Sequence, residues 1–191
     1  MPTLDKSELV LGVTGHRVLA EIAKIEAGVA AALERIRAQW PKHRFTLLSS
    51  LAEGADCLVA RCVLAWADSY LIVPLPLPPA DSLADCGTAE AQREFLALLA
   101  RAQTVIELPA AEMRNVAYEA AGLYVLDHCE ILITIWDGGT EQGQGGTGGI
   151  VARARERCLP IAWVHAGNRK PDTFEPTSLG LEQGRVTFEN F

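Results

Sequence analysis

Glycine is most concentrated between Trp136 and Gly149, where the sequence reads Trp-Asp-Gly-Gly-Thr-Glu-Gln-Gly-Gln-Gly-Gly-Thr-Gly-Gly. The apolar run Ile131-Leu132-Ile133-Thr134-Ile135 stands directly before it, and the helix-like Ile150-Val151-Ala152-Arg153-Ala154 directly after. A strand that passes through a glycine-rich loop into a helix presents bare N–H groups and the positive end of a helix dipole. That combination favours phosphate. Gly145, Gly146 and Thr147 are best placed to meet it. Trp136 offers an aromatic face for stacking, although the last residue of a buried strand more commonly packs in the core. A flexible surface loop rich in glycine is the plain alternative.

Two earlier loops carry groups suited to the same anion. In Thr14-Gly15-His16-Arg17 the glycine permits a tight turn beside His16, and the planar guanidinium of Arg17 can pair with a phosphate. In Ser49-Ser50-Leu51-Ala52-Glu53-Gly54-Ala55-Asp56, Ser49 and Ser50 can cap the next helix or bond a phosphate. Glu53, before the flexible Gly54, can accept from ribose hydroxyls, and Asp56 reads as a helix cap. Glu53 and Asp137 are also the candidate catalytic carboxylates, with Glu141 nearby, because cleaving a glycosidic bond needs a carboxylate set against the anomeric carbon. Without a ligand the first two loops reduce to helix caps with solvated side chains.

The elements around these loops alternate. Apolar runs of strand length occur at Leu9–Val13, Phe45–Ser49, Tyr70–Leu75, Thr104–Leu108, Ile131–Trp136 and Pro160–His165. They lack polar alternation, so both faces of their sheet should be covered. Between the first two, Ile22, Ile25, Val29, Leu33, Ile36 and Trp40 form one stripe at helical spacing, which Pro41 should stop. Further helices are expected at Asp56–Ala67, Glu90–Ala102, Asn115–Asp127 and Thr147–Arg157, the last turning Ile150, Val151, Ala154 and Cys158 inward. The pattern predicts an α/β fold, a three-layer α/β/α sandwich with a mainly parallel, Rossmann-like sheet. In such a sheet the ligand crevice lies beyond the carboxyl ends of the strands, where strand order reverses, and the three loops should converge there. The proline-rich stretch Pro74–Cys86 reads as a loop or lid, and residues 167–191 as a less regular tail.

Composition narrows the classes. A length of 191 residues fits one domain, 1–191 with its core at about 8–165, and a hydrophobic content of 49% is ordinary for a globular chain. The net charge of −7 argues against a nucleic-acid-binding face. No apolar run long enough for a membrane span and no basic-then-apolar leader is present, so a cytoplasmic location without membrane attachment is expected. The five cysteines (57, 62, 86, 129 and 158) are scattered in apolar contexts and read as reduced core thiols. None is paired at metal-ligand spacing, so no metal is expected. Apolar helix faces are compatible with a homodimer, though core helices look the same.

The motifs Val13-Thr14-Gly15-His16-Arg17, Ser50-Leu51-Ala52-Glu53-Gly54-Ala55-Asp56 and Trp136-Asp137-Gly138 with Gly145-Gly146-Thr147, in this order, resemble the SLOG superfamily, named for its Smf/DprA and LOG members. The second segment is similar to the Ser-Gly-x-Ala-x-Gly-Ile-Asp segment of DprA. The last is similar to the Pro-Gly-Gly-x-Gly-Thr loop of LOG-type phosphoribohydrolases and lysine-decarboxylase-like proteins. The resemblance covers about residues 8 to 165. It implies a Rossmann-like domain that binds a small nucleotide or nucleotide-derived phosphate ligand, with no cofactor. LOG enzymes follow their Gly-Thr with a helix that bears a glutamate, whereas here no acid follows Thr147 until Glu156. Nucleoside deoxyribosyltransferases fail on the same gap, and Gly12-Val-Thr-Gly15 does not supply the dinucleotide fingerprint of a dehydrogenase. The expectation is a nucleotide-binding sensor or carrier; the alternative is a nucleotide N-glycosidase acting through a displaced carboxylate.

Overall fold

The computed structural model describes residues 7–139 and 146–191. A seven-stranded sheet forms its middle layer, in the order β4-β3-β2-β1-β5-β6-β7. In chain order the elements are β1 (Glu8–Gly15), α1 (Ile22–Gln39), β2 (Arg44–Leu48), α2 (Ala55–Val63), β3 (Ser69–Leu75), α3 (Pro79–Ala84), α4 (Ala89–Leu99), β4 (Thr104–Glu107), α5 (Arg114–His128), β5 (Ile131–Trp136), α6 (Thr147–Glu156), β6 (Ile161–His165) and β7 (Val186–Glu189). The first six strands run parallel, and β7 pairs antiparallel with β6. The molecule is an α/β fold with a Rossmann-like three-layer arrangement.

Right-handed crossovers dictate the layers. The chain steps outward from β1 through β2 and β3 to β4, which puts α1, α2 and α4 on one face of the sheet. Helix α5 then carries it back across three strands to the other side of β1, and α5 and α6 cover the opposite face. Strand order therefore reverses between β1 and β5, whose partners run from Leu11↔Ile131 to Gly15↔Ile135. Every residue of β5 is buried, as a strand covered on both faces requires. Gly12 lets α5 cross close to β1: a β-carbon there would lie 2.7 Å from Val125 Cγ1 and 2.8 Å from Cys129 Sγ.

Helix α1 buries Ile25, Val29, Leu33 and Ile36 along one stripe and ends at Gln39, because Trp40 precedes Pro41 and takes non-helical angles. Three sequence expectations need correction. The tail at 167–191 contributes β7 to the sheet, and the Gln183 side chain ties it down by accepting from the Gly167 and Leu179 N–H groups and donating to Ala20 O. Its half-buried, short edge strand lacks the continuous apolar run that marks the interior strands. The stretch Pro74–Cys86 is not loop throughout. Pro74 and Leu75 complete β3, and Pro79 opens α3 at a first-turn position where its missing N–H costs nothing. Cys158 does not turn inward: α6 has ended at Glu156, and Cys158 is exposed at φ 53°. Cys57, Cys86 and Cys129 are buried and Cys62 is half-buried, all as free thiols. No helix among the described residues is long and apolar enough to cross a membrane.

Candidate functional site

The loop after β1 is stitched to both neighbours at the strand-order reversal. His16 N–H donates to Ile135 O at 3.0 Å, and Ala55 N–H donates to His16 O at 3.0 Å. Only glycine fits at position 15, where a β-carbon would approach Ala55 Cβ to 2.5 Å and Ile135 O to 2.6 Å. The His16 ring is buried, and its Nε2 accepts the Asp137 N–H at 3.1 Å with Asp137 Oδ1 at 3.3 Å. Burial lowers its pKa against the opposing pull of the Asp137 carboxylate, so the ring is neutral at neutral pH and free to accept. Asp137 Oδ1 also accepts the Gly139 N–H at 2.8 Å, a turn that starts the glycine loop.

The loop after β2 reaches α2 through two left-handed residues, Leu51 at φ 55° and Gly54 at φ 91°. Asp56 lies within the first turn of α2, whose N-cap is Gly54. The expectation that Asp56 caps the helix is corrected: its carboxyl group turns back to take the Ala52 and Ser50 N–H groups, beside the Ser49 hydroxyl. Burial pushes that carboxyl up to about 7, against those hydrogen bonds and the charge of Arg17. Ser49 is fully buried, and its Oγ bonds Asp56 O and the Leu51 N–H. It braces the loop and has no free group for a ligand, which corrects its assignment as a binding residue.

Beyond these loops lies a small cleft lined by Arg17, Ser50, Glu53, Asp85, Cys86 and Tyr118, among others. The Arg17 guanidinium sits 4.4 Å from the Tyr118 ring centroid. Tyr118 Oη donates to Asp85 Oδ2 at 2.7 Å, and Asp85 also pairs with Arg114 at the start of α5. Glu53 Oε2 accepts the Gly87 N–H at 2.8 Å, which fastens the end of the α3 segment to the β2–α2 loop. Burial and the bond to Asp85 raise the Tyr118 phenol, and burial raises the Cys86 thiol. Low-pKa thiolate character is therefore absent from Cys86.

On the other side of the reversal stand Trp136 and the start of α6. Trp136 is buried against Trp163, with ring centroids 5.1 Å apart and Trp163 Nε1–H donating to Trp136 O at 2.9 Å. It offers no free face for stacking, since the core claims it. Gly146 is the N-cap of α6, in an extended conformation and with no side-chain cap, and Thr147 is the first helical residue. Gly145 and Glu141 lie outside the described residues. Glu156 is exposed at the far end of α6 from the crevice.

The structure thus brings Arg17, Ser50 and Glu53 around one cleft, packs Gly15 and Gly54 into the loop junction behind it, and sets His16 with Asp137 at the reversal. The two candidate carboxylates belong to different sides of the crevice: Glu53 lines the cleft, Asp137 faces His16. Asp85, Cys86, Arg114 and Tyr118 were not singled out from the sequence. Asp85 and Cys86 fall in the proline-rich lid segment, a usable signal, but Tyr118 reads as one more residue of a helix until the fold carries α5 over the cleft. Among the described residues no three His, Cys, Asp or Glu side chains gather as a metal site.

No protein-family model matches the chain. No curated protein matches it either. Its structure is similar to the X-ray structure of TM1055, a structural genomics target, at 9% identity and a TM-score of 0.42. The match covers 66% of this chain and 60% of that one, so the chain spans three fifths of that protein's length.

Proposed function

We propose that the crevice binds a nucleotide or nucleotide-derived phosphate ligand, as a sensor or carrier in the cytoplasm. Arg17 is the observation that carries this reading. Its guanidinium stands in the cleft at the end of the central strand, over an aromatic ring, and among the described residues it forms no ion pair within 4.0 Å. Its charge is felt by the buried Asp56 carboxyl, which burial pushes up to about 7, and by the Tyr118 hydroxyl. A phosphate would pair with it. The start of α6, with no side-chain cap, supplies backbone donors and a positive dipole end at the same end of the sheet. The SLOG resemblance of the three loops agrees with both features. Incubation with AMP and ADP-ribose should raise the melting temperature of the protein, and the absence of a shift with either would count against the reading.

An N-glycosidase is the second reading, favoured by the position of Glu53 in the cleft. One of its oxygens is already held by the Gly87 N–H. The helix after Thr147 lacks an acid in the crevice, and general acid–base help is typically worth about 10²–10⁴-fold, so turnover should stay near background. Chromatography of an AMP incubation should find no enzyme-dependent free adenine. Adenine release that disappears in Glu53→Gln would establish the enzyme instead.

A further inference from the structure

The segment between β3 and α4 lines the cleft through Pro76, Ser82, Asp85 and Cys86, and it is fastened at one end from two sides. Glu53 of the β2–α2 loop holds the Gly87 N–H at 2.8 Å, and the Tyr118 hydroxyl of α5 holds Asp85 at 2.7 Å. Tyr118 performs a second task with the same ring, whose face carries the Arg17 guanidinium at 4.4 Å. One side chain therefore touches the strap through its oxygen and the Arg17 guanidinium through its π-face. Arg114 closes the outer side of this bracket by pairing with Asp85.

We propose that Tyr118 is a positioning residue that holds Arg17 toward the cleft and couples its occupation by an anion to closure of the 76–87 strap. The proposal rests on the reading of Arg17 as the anion-binding group. An aromatic face attracts a guanidinium without neutralising it, so the cation is oriented and still able to bind. A long arginine side chain has many rotamers to lose on binding, and a ring that restricts them beforehand reduces that loss. When an anion draws Arg17 into one geometry, the ring beneath it is fixed too, and with it the hydroxyl that holds Asp85.

Two variants separate the ring from the hydroxyl. Tyr118→Phe keeps the ring face for Arg17 and removes the hydroxyl, with its bond to Asp85 and its contact to the guanidinium; Tyr118→Leu removes the ring as well. The probe is AMP, with affinity read by calorimetry and strap closure by amide hydrogen exchange over residues 76–87. In the parent, AMP should slow exchange in the strap. Tyr118→Phe should weaken AMP by roughly three- to fivefold and abolish that slowing, while amides of the β2–α2 loop still respond. Tyr118→Leu should weaken AMP by roughly tenfold or more. The ligand-free Arg17 Nε–H resonance provides a readout that needs no nucleotide: slow to exchange in the parent and in Tyr118→Phe, fast in Tyr118→Leu. If Tyr118→Phe matches the parent in both AMP affinity and strap protection, the coupling is wrong although Arg17 binds the anion. If the Arg17 resonance is the same in Tyr118→Leu, the positioning role is wrong whatever the ligand. If the resonance behaves as expected and the parent takes up no AMP, the positioning role stands and the nucleotide reading fails.

Discussion

Gly54 and Gly146 stand at the N-termini of two helices that begin at the carboxyl end of the sheet, yet the backbone torsions require glycine at only one of them. Gly54 lies at φ 91° and ψ −116°, where a β-carbon would come within 2.3 Å of Arg17 O and 2.6 Å of His16 O. Gly146 lies at φ −76° and ψ 157°, extended backbone that any residue adopts. On the β2 side, glycine is a packing requirement that lets two loops touch. On the α6 side the torsions set no such requirement, and bare N–H groups kept open for a ligand are a reason for glycine there. The buried titratable groups differ in the same way. Asp56 on the β2 side is pushed to about 7 and holds its proton more tightly, whereas burial makes His16 at the β1–β5 junction give its proton up. The β2 side supplies a charge from a rigid, internally bonded frame; the α6 side supplies backbone donors.

The sharpest way to break this contrast is to add a methyl group at each glycine. Gly54→Ala forces strain and a backbone clash together, for a loss on the order of 3–5 kcal/mol and roughly 10 °C in melting temperature. Gly146→Ala should stay within about 1 kcal/mol of the parent. Thermal melts of both variants decide the matter, and equal losses would erase the distinction. The second prediction concerns the charge. Arg17→Ala should weaken AMP by about 1.5–3 kcal/mol, roughly ten- to 150-fold, with little change in the melt. Calorimetric affinities equal to the parent's would move recognition wholly to the α6 side.

These same regions mark how far the sequence could be read. The parallel core was legible because strands buried on both faces, such as Ile131–Trp136, must be apolar throughout, and because the α1 stripe ends at a proline. The edge strand Val186–Glu189 was not, since half-buried residues carry no such run. Arg17 and Glu53 could be placed in the crevice because position after a parallel strand fixes which end of the sheet a loop occupies. Their orientation could not. It depends on Tyr118 and on the Gly87 N–H, groups brought in by a crossover helix and by a segment whose prolines concealed a short helix. Ser49 and Asp56 illustrate the converse: both look like ligand or cap groups locally, and both are consumed in bracing their own loop.

Proton linkage gives a smaller test of the contrast. Asp56 has a folded pKa of about 7 against 3.8 unfolded, so the native state binds the extra proton between those values. Its contribution to stability is fully present below the unfolded value and is lost as pH rises through the folded one, by about 1–1.5 kcal/mol between roughly pH 6 and 8. Melts of Asp56→Asn at the two pH values should lack that decline; a decline equal to the parent's would assign the titration to another group. His16 has the opposite sign. Its folded pKa is lowered, so stability is present above the unfolded value of 6.5 and falls on acidification through the folded one. The effect should be the smallest of the four. His16→Gln should flatten that acid limb in melts, with His165, also lowered by burial, keeping its own share; an undiminished limb would show that His16 is not held neutral by the fold.

The central claim is that bare backbone donors at the α6 terminus and the Arg17 guanidinium bind one phosphate-bearing ligand. Calorimetric titration of AMP and ADP-ribose into the parent and into Gly146→Val tests it most directly, because valine adopts φ −76° without backbone strain. The expected result is saturable binding of at least one nucleotide to the parent, and its loss in Gly146→Val at an unchanged melting temperature. Parent-like binding by the variant, or no binding of either nucleotide to the parent, would contradict it.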